Sequence, residues 1–333
     1  GCDNPMTFAR SGQILLIRNP TAGRSRHSLV DEVVRRVAAE GWTVNLVDTA
    51  APGDAWRLAK SCDPARHALI AVAGGDGTIN EVVNGLASRT ERGPAVALVP
   101  LGTANVLAQE LGLRAKAGDV AKAMMAGREV LMRPGLVTGA RGSSRYFSLM
   151  AGTGFDAKVV AGVSTPLKRR LGKAAYAWRS MVEACGYRPV RYGVEVDGVS
   201  YEAASVIVTH ARFYAGPYVV APGAALDEPL LHVCLFQRWG RLHVVRFGLA
   251  LLMGRLPLTA GYRIVSGRSI NISVLSDGGE TRPEAVQVDG DDAFSLPVSI
   301  SLAESTVRLL SPVSGAPAKG TAQDSEGYRP GPP

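Results

Sequence analysis

Three short glycine-bearing segments carry the residue types that hold a phosphate. The clearest is Gly74-Gly75-Asp76-Gly77-Thr78, set between an apolar run (ALIAVA, 68–73) and a helical stretch, TINEVVNGL. Three glycines in four positions let a backbone take positive φ and approach a ligand closely. A helix opening near Thr78 aims unpaired N–H groups and the positive end of its dipole at the same space. A lone carboxylate there, Asp76, would repel a phosphate unless a cation lay between them. Asp76 therefore implies Mg²⁺, reached through water because Mg²⁺ keeps much of its hydration shell. Taken alone, the segment is equally a tight turn with a surface aspartate.

Two more segments share that character. Asn19-Pro20-Thr21-Ala22-Gly23 follows the apolar run QILLIR (13–18), with Arg24 and Arg26 just beyond as cations for phosphates. Leu101-Gly102-Thr103-Ala104-Asn105 follows AVALVP (95–100), with Thr103 placed to cap a helix or to donate to a nucleotide. A fourth feature lies far away, at Asp289-Gly290-Asp291-Asp292. A carboxylate beside an alcohol can take its proton as the oxygen attacks phosphorus, while cations and positioning lower the rest of the barrier. On its own residues the same run is also a good hairpin turn.

Elements must bring these loops together. Non-alternating apolar runs at 13–18, 43–48, 68–73 and 95–100 alternate with helical patterns, the first over 28–40 with Gly41 as its stop. Buried strands separated by helices imply a parallel sheet covered on both faces. Ligands of such sheets bind at the carboxyl ends of strands, where all three glycine loops lie. After about Arg133 the pattern changes to short strands at 146–151, 192–196, 203–210, 218–221, 230–236, 262–266, 269–275, 285–288, 298–301 and 307–310, which read as an antiparallel sandwich. Helical stretches at 167–187 and 242–256 interrupt it, and 314–333 reads as a tail too polar to bury a core. The expected fold is thus an α/β N-terminal domain, 10–135, followed by a β-sandwich domain, 136–304.

Composition narrows the partners. A formal charge of +8 favours anionic ones, but aromatics at 6% with no aromatic/basic stripe leave nucleic acid without support. The longest apolar stretch, Phe247–Gly254, falls short of the roughly 20 residues that span a bilayer. Four scattered cysteines fit neither a zinc site nor a disulfide framework. With no signal-peptide pattern and Met6 reading as a natural start, the expected location is the cytoplasm, peripheral to the inner face of the membrane. The five histidines show no ligand spacing. Neither a P-loop nor a dinucleotide fingerprint is present.

With these motifs in family order, the chain resembles the diacylglycerol-kinase-type lipid kinases, which also include sphingoid-base and ceramide kinases. The resemblance rests on RNPTAGR (18–24), AGGDGTINEVVNGL (73–86), PLGTANVLAQELGL (100–113), AGTGFDAKVV (151–160), APGAALDEPLLHV (221–233) and QVDGDD (287–292). It implies that ATP and lipid meet in a cleft between the two domains, and that the last strand, about 305–312, returns to the first domain. It implies ATP contacts at Asn19, Pro20, Thr21, Ala22, Gly23, Thr49, Gly74, Gly75, Asp76, Gly77, Thr78, Ile79, Asn80 and Thr103. Catalysis would use the turn at Asp289 and Asp291, with Asp76; Asp291 stands where the family usually has Glu. A structural Mg²⁺, as in bacterial members, would be held by Glu228 and Asp227 with backbone oxygens of Ala225 and Leu230, although Pro229 replaces the family's glycine.

The expected activity is therefore ATP- and Mg²⁺-dependent transfer of the γ-phosphate to a lipid alcohol, foremost diacylglycerol, giving phosphatidic acid. Ceramide or a sphingoid base is the alternative acceptor; NAD kinase and a non-catalytic lipid- or nucleotide-binding protein stand behind it. Expected partners are the lipid alcohol, an anionic membrane surface and, as an open option, a second copy as a homodimer. The basic helical segment with Lys168, Arg169, Arg170 and Lys173 is the expected membrane contact.

Overall fold

The computed structural model describes residues 12–23, 27–154, 190–275 and 283–313. The first unit runs β1 (Gln13–Arg18), α1 (His27–Ala39), β2 (Thr43–Asp48), α2 (Asp54–Ser61), β3 (Leu69–Gly74), α3 (Asp76–Ala87), β4 (Ala95–Pro100), α4 (Val106–Glu110), α5 (Ala117–Ala126) and β5 (Arg128–Met132). Every residue of β3 and β4 is buried, as expected of central strands covered on both faces. Helix α1 turns Val30, Val33 and Val37 into the core, a stripe with the helical period.

The second unit continues with β6 (Gly135–Gly139), β7 (Ser144–Phe147), β8 (Met150–Gly154), β9 (Tyr192–Val196), β10 (Val199–Ala203), β11 (Ser205–Thr209), β12 (Phe213–Tyr214), β13 (Tyr218–Val219), β14 (Leu231–Phe236), α6 (Arg241–Leu252), β15 (Tyr262–Gly267), β16 (Ser269–Val274), β17 (Ala285–Val288), β18 (Asp291–Ser295) and β19 (Val298–Leu302). The last strand is β20 (Val307–Ser311).

The first sheet has the order β2-β1-β3-β4-β20-β5; β20 is parallel to β4 and antiparallel to β5. The chain thus ends its described portion by closing the sheet with which it began. Two antiparallel sheets, β10-β9-β16-β19-β6-β7 and β15-β14-β11-β8-β17-β18, form the sandwich. A core including Val137, Phe147, Val194, Val208, Leu235, Ile270 and Val288 fills the space between them. The α/β-plus-sandwich expectation holds.

Two expected elements differ. The run at 146–151 is not one strand: β7 ends at Phe147 and β8 starts at Met150, because the amides between them turn toward the Asp289 carboxylate. The helix expected over 242–256 stops at Leu252, where Gly254 at φ +67° ends it and Pro257 starts a 3₁₀ turn at Leu256–Leu258. Strands β5, β6, β10, β12 and β18 were not expected; β18, DDAFS, is too polar to read as a strand. Arg24, Arg26, the helical stretch 167–187 with its basic residues, and the tail 314–333 lie outside the described residues.

Candidate active site

Parallel pairing puts the ends of β2, β1, β3 and β4 side by side. Arg18 lies opposite both Asp48 and Ala73, and Gly74 opposite Pro100. The residues that follow, Thr49, Asn19, Gly75 and Leu101, therefore share one sheet edge, as the strand-end argument requires. The loops are also locked to one another. Asn19 N–H donates to Ala73 O at 2.9 Å, Thr49 N–H to Arg18 O at 2.9 Å, and Leu101 N–H to Gly74 O at 3.0 Å.

Asn19 organises the first loop. Its Oδ1 accepts from Thr21 N at 3.0 Å and Thr21 Oγ1 at 2.8 Å, while its Nδ2 donates to Thr78 Oγ1 at 3.2 Å on α3. Gly23 takes φ +54°, and a Cβ there would overlap the Leu101 carbonyl oxygen of the third loop. Pro20, Thr21 and Ala22 form the tip between these anchors, with Thr21 exposed.

Gly77 behaves differently. It sits in the first turn of α3, yet an added Cβ would meet nothing within 4 Å. Alanine favours a helix over glycine by about 1 kcal/mol, so the fold gives no reason for glycine at this place. Space kept for a ligand does. The first-turn amides of α3 have no partner within their own helix and open toward the same edge.

Several expected contacts change character. Asp76 does not point into a phosphate site that needs a cation. Its carboxylate turns to the start of α4, where Leu107 N–H reaches Oδ1 at 3.4 Å. Burial pushes its pKa above the ordinary carboxylate value, and the amides of Val106, Leu107 and Asn105 oppose that rise. Asp76 thus answers the positive end of α4, and its charge by itself calls for no cation. Thr103 is exposed and caps nothing; Asp76 takes the role expected of it. The side chains of Thr78, Ile79 and Asn80 are buried, Asn80 bonding Asn84, so what these residues can offer a nucleotide is backbone.

The sandwich is fastened to α3. Asn84, two turns along, donates from Nδ2 to Tyr146 O at 2.9 Å and accepts from Tyr146 N at 3.0 Å on β7. An amide side chain thereby imitates a strand partner. Next to Tyr146, Arg145 Nη2 donates to Asp291 Oδ2 at 2.8 Å. The acidic hairpin is thus tied through β7 to the helix whose N-terminus opens on the phosphate edge.

Of the three hairpin carboxylates, Asp289 and Asp291 do different work. Asp289 is half-buried at φ +48° and accepts four hydrogen bonds, from Ser148 N at 2.6 Å, Ser148 Oγ at 2.9 Å, Leu149 N at 2.9 Å and Met150 N at 2.9 Å. Burial raises its pKa and those donors oppose the rise. A carboxylate with its lone pairs so committed has none left for a substrate proton. Asp289 therefore anchors the hairpin, correcting its expected role as base. Asp291, paired with Arg145 through Oδ2 yet with its side chain 70% exposed, remains accessible from solvent, as does Asp292 beside it.

The expected metal segment is not a cage. Glu228 Oε2 sits 3.1 Å from His232 Nε2, the Ala225 carbonyl accepts from Glu228 N at 3.2 Å, and Asp227 is exposed. One oxygen of Glu228 is thus engaged by imidazole and the Ala225 carbonyl by an amide. Among the described residues no three His, Cys, Asp or Glu side chains cluster as ligands.

Glu110 and Asn84, to which no motif assigns a role, join the halves. Glu110, at the end of α4, accepts from Arg212 Nε at 3.1 Å and from Phe213 N at 2.7 Å. The signals were a lone acid in the apolar run VLAQELGL, and Asn80 with Asn84 at i, i+4 within an apolar helix.

The chain is similar in sequence and fold to known proteins. The family model described as diacylglycerol kinase catalytic domain matches residues 13–137, and that described as YegS C-terminal NAD kinase beta sandwich-like domain matches 150–311. A diacylglycerol kinase of Bacillus subtilis is 31% identical over 247 residues, covering 72% of this chain and 78% of that protein. A probable lipid kinase YegS-like of Chromohalobacter salexigens is 30% identical over 220 residues, covering 65% and 69%. A crystal structure of a diacylglycerol kinase from Bacillus anthracis shares the fold, with a TM-score of 0.69 at 23% identity over 90% of this chain and 97% of that one. The chain is a kinase and belongs to the diacylglycerol-kinase-type family of lipid kinases.

Proposed function

We propose that the protein transfers the γ-phosphate of ATP to the hydroxyl of diacylglycerol, forming phosphatidic acid. The observation that carries the nucleotide half is the set of interlocked strand-end loops, with Gly77 open to a ligand and α3 pointing its first-turn amides there. The acceptor half rests on Asp291, held by Arg145 on the strand that Asn84 ties to α3. In the reaction the lipid oxygen attacks the γ-phosphorus, its proton passes to Asp291, and the bond to the bridging oxygen of ADP breaks. Mg²⁺ would arrive on the triphosphate, since that ion is commonly held by one or two carboxylates together with substrate phosphates.

The names of the relatives support diacylglycerol over ceramide or a sphingoid base as acceptor. They favour a lipid over NAD in the same way. The work would be done in the cytoplasm, at the inner face of the membrane, where such an acceptor resides. The test is transfer of label from γ-labelled ATP to diacylglycerol, ceramide, sphingosine and NAD in parallel, with and without Mg²⁺. Label in phosphatidic acid alone, lost with EDTA, is the expected result. Label in NADP, or in no product, would overturn the reading.

A further inference from the structure

Helix α6 packs one face and shows another. Val244, Phe247, Ala250 and Leu251 are buried, Phe247 standing edge-on to Phe236 at 5.1 Å. The opposite stripe, at helical spacing, is Leu242, Arg246, Leu249 and Met253, followed by Leu258 in the 3₁₀ turn. Leu242 is 85% exposed, Leu249 47%, Met253 65% and Leu258 87%. These are four of the nine large apolar side chains exposed among the described residues. Such side chains scatter singly on ordinary surfaces; gathered on one short element they mark a contact.

Charge says what the contact is with. From Leu231 to Leu275 the sequence has six arginines, at 238, 241, 246, 255, 263 and 268, and no Asp or Glu. Arg246 lies within the apolar stripe, and Arg238 and Arg255 are exposed beside its ends. No described helix is long and apolar enough to cross a membrane. An element with an apolar stripe, cationic flanks and no acid is suited to lie in the plane of an anionic lipid surface.

We propose that the outer stripe of α6, continued by Leu258, docks the protein on an anionic bilayer. The leucines and methionine enter the acyl boundary while Arg246 and Arg255 meet lipid phosphates. The inference rests on the lipid-kinase reading only for its purpose, and the surface itself is read from α6. None of its residues belongs to the phosphate loops or the acidic hairpin, so its loss should leave the chemistry intact.

The test uses the full chain and vesicles of phosphatidylcholine, with or without phosphatidylglycerol. The variants are Leu249→Ser with Met253→Ser, and Arg246→Gln with Arg255→Gln; all four side chains are exposed. The parent should sediment with the anionic vesicles and less so in high salt. The arginine variant should partition about fivefold more weakly per arginine, and the apolar variant weaker by on the order of tenfold or more. Turnover of a short-chain diacylglycerol monomeric in solution should be unchanged in both. Equal sedimentation of parent and variants would overturn the proposal. So would a parent dimer in solution that the apolar variant dissociates without loss of vesicle binding, since a second copy would then be what covers the stripe. Failure of the parent to phosphorylate the soluble acceptor would sink the reading of diacylglycerol as substrate, while sedimentation would still decide the role of α6.

Discussion

Replacing Asp289 by Asn separates an anchor from a base. Asn can keep φ near +48° as readily as Asp. Its Oδ1 can still accept from Leu149 and Met150 N–H, and Ser148 Oγ can rotate to accept from the new amide. The Ser148 backbone N–H, however, would then face an NH₂ group across the 2.6 Å now spanned by a hydrogen bond. A buried donor left unpaired costs about 1–3 kcal/mol, and the loss of charge assistance at the other bonds adds to it. We expect a destabilisation of about 2–3 kcal/mol, against a total of roughly 5–15 kcal/mol for an ordinary domain. Asp289→Asn should therefore fold at low temperature with a lowered denaturation midpoint and retain measurable transfer to lipid. Asp291→Asn should show the reverse. Its side chain is exposed, so stability should move by less than about 0.5 kcal/mol, while kcat falls on the order of 10²–10⁴-fold, the range expected for removing a general base. Denaturation midpoints and labelled-ATP transfer on both variants check this. If Asp289→Asn lost activity to that extent with an unmoved midpoint, and Asp291→Asn kept its activity, the division of labour argued above would be refuted.

Three other expectations follow from named contacts. Gly77→Ala should hold or slightly raise stability, because its Cβ meets no protein atom, yet raise KM for ATP severalfold or more; an unchanged KM would place the phosphates elsewhere. Glu110→Ala should cost about 3 kcal/mol by removing one partner of a buried ion pair together with the acceptor of the Phe213 amide, read as a lowered midpoint; an unmoved midpoint would deny the pair its part in joining the halves. His210 is fully buried with Nε2 on Ser148 O at 2.8 Å, and burial holds its pKa down at about 4. The unfolded imidazole takes a proton below about pH 6.5, so this contribution to stability is complete above that pH and fades as pH falls toward 4. Between pH 7 and 5 the parent should lose about 2 kcal/mol relative to His210→Gln; the comparison is made with the variant because the raised carboxylates of Asp76, Glu110 and Asp289 act in the opposite sense. Parallel melting curves for the two would contradict it.

The legible parts of the molecule were those with strong periodicity. β1 and β4 matched their apolar runs because a strand covered on both faces leaves an unmixed signal; β2, at the sheet edge, matched although none of its residues is fully buried. The convergence of the glycine loops followed from the same pattern, since parallel strands place their carboxyl ends together. What stayed hidden was direction. Asp76 and Asp289 could be picked out as carboxylates in tight turns, but not that one faces α4 and the other the β7–β8 corner, since both partners are set by tertiary contact. Asp289 reaches across about 140 positions to Ser148–Met150. Asn84 and Tyr146 are 62 apart, and no local rule connects them. Strand β18 was missed because pairing with β17 at the sheet edge, not its own composition, makes it a strand.

The central claim is that backbone amides at a row of strand ends receive the triphosphate. Hydrogen–deuterium exchange of the full chain with and without ATP reads those amides directly. Protection on adding ATP should concentrate at 19–23, 75–80 and 101–105 together, and Gly77→Ala should reduce it at all three. ATP-dependent protection confined to other segments, or to one of these loops alone, would contradict the account.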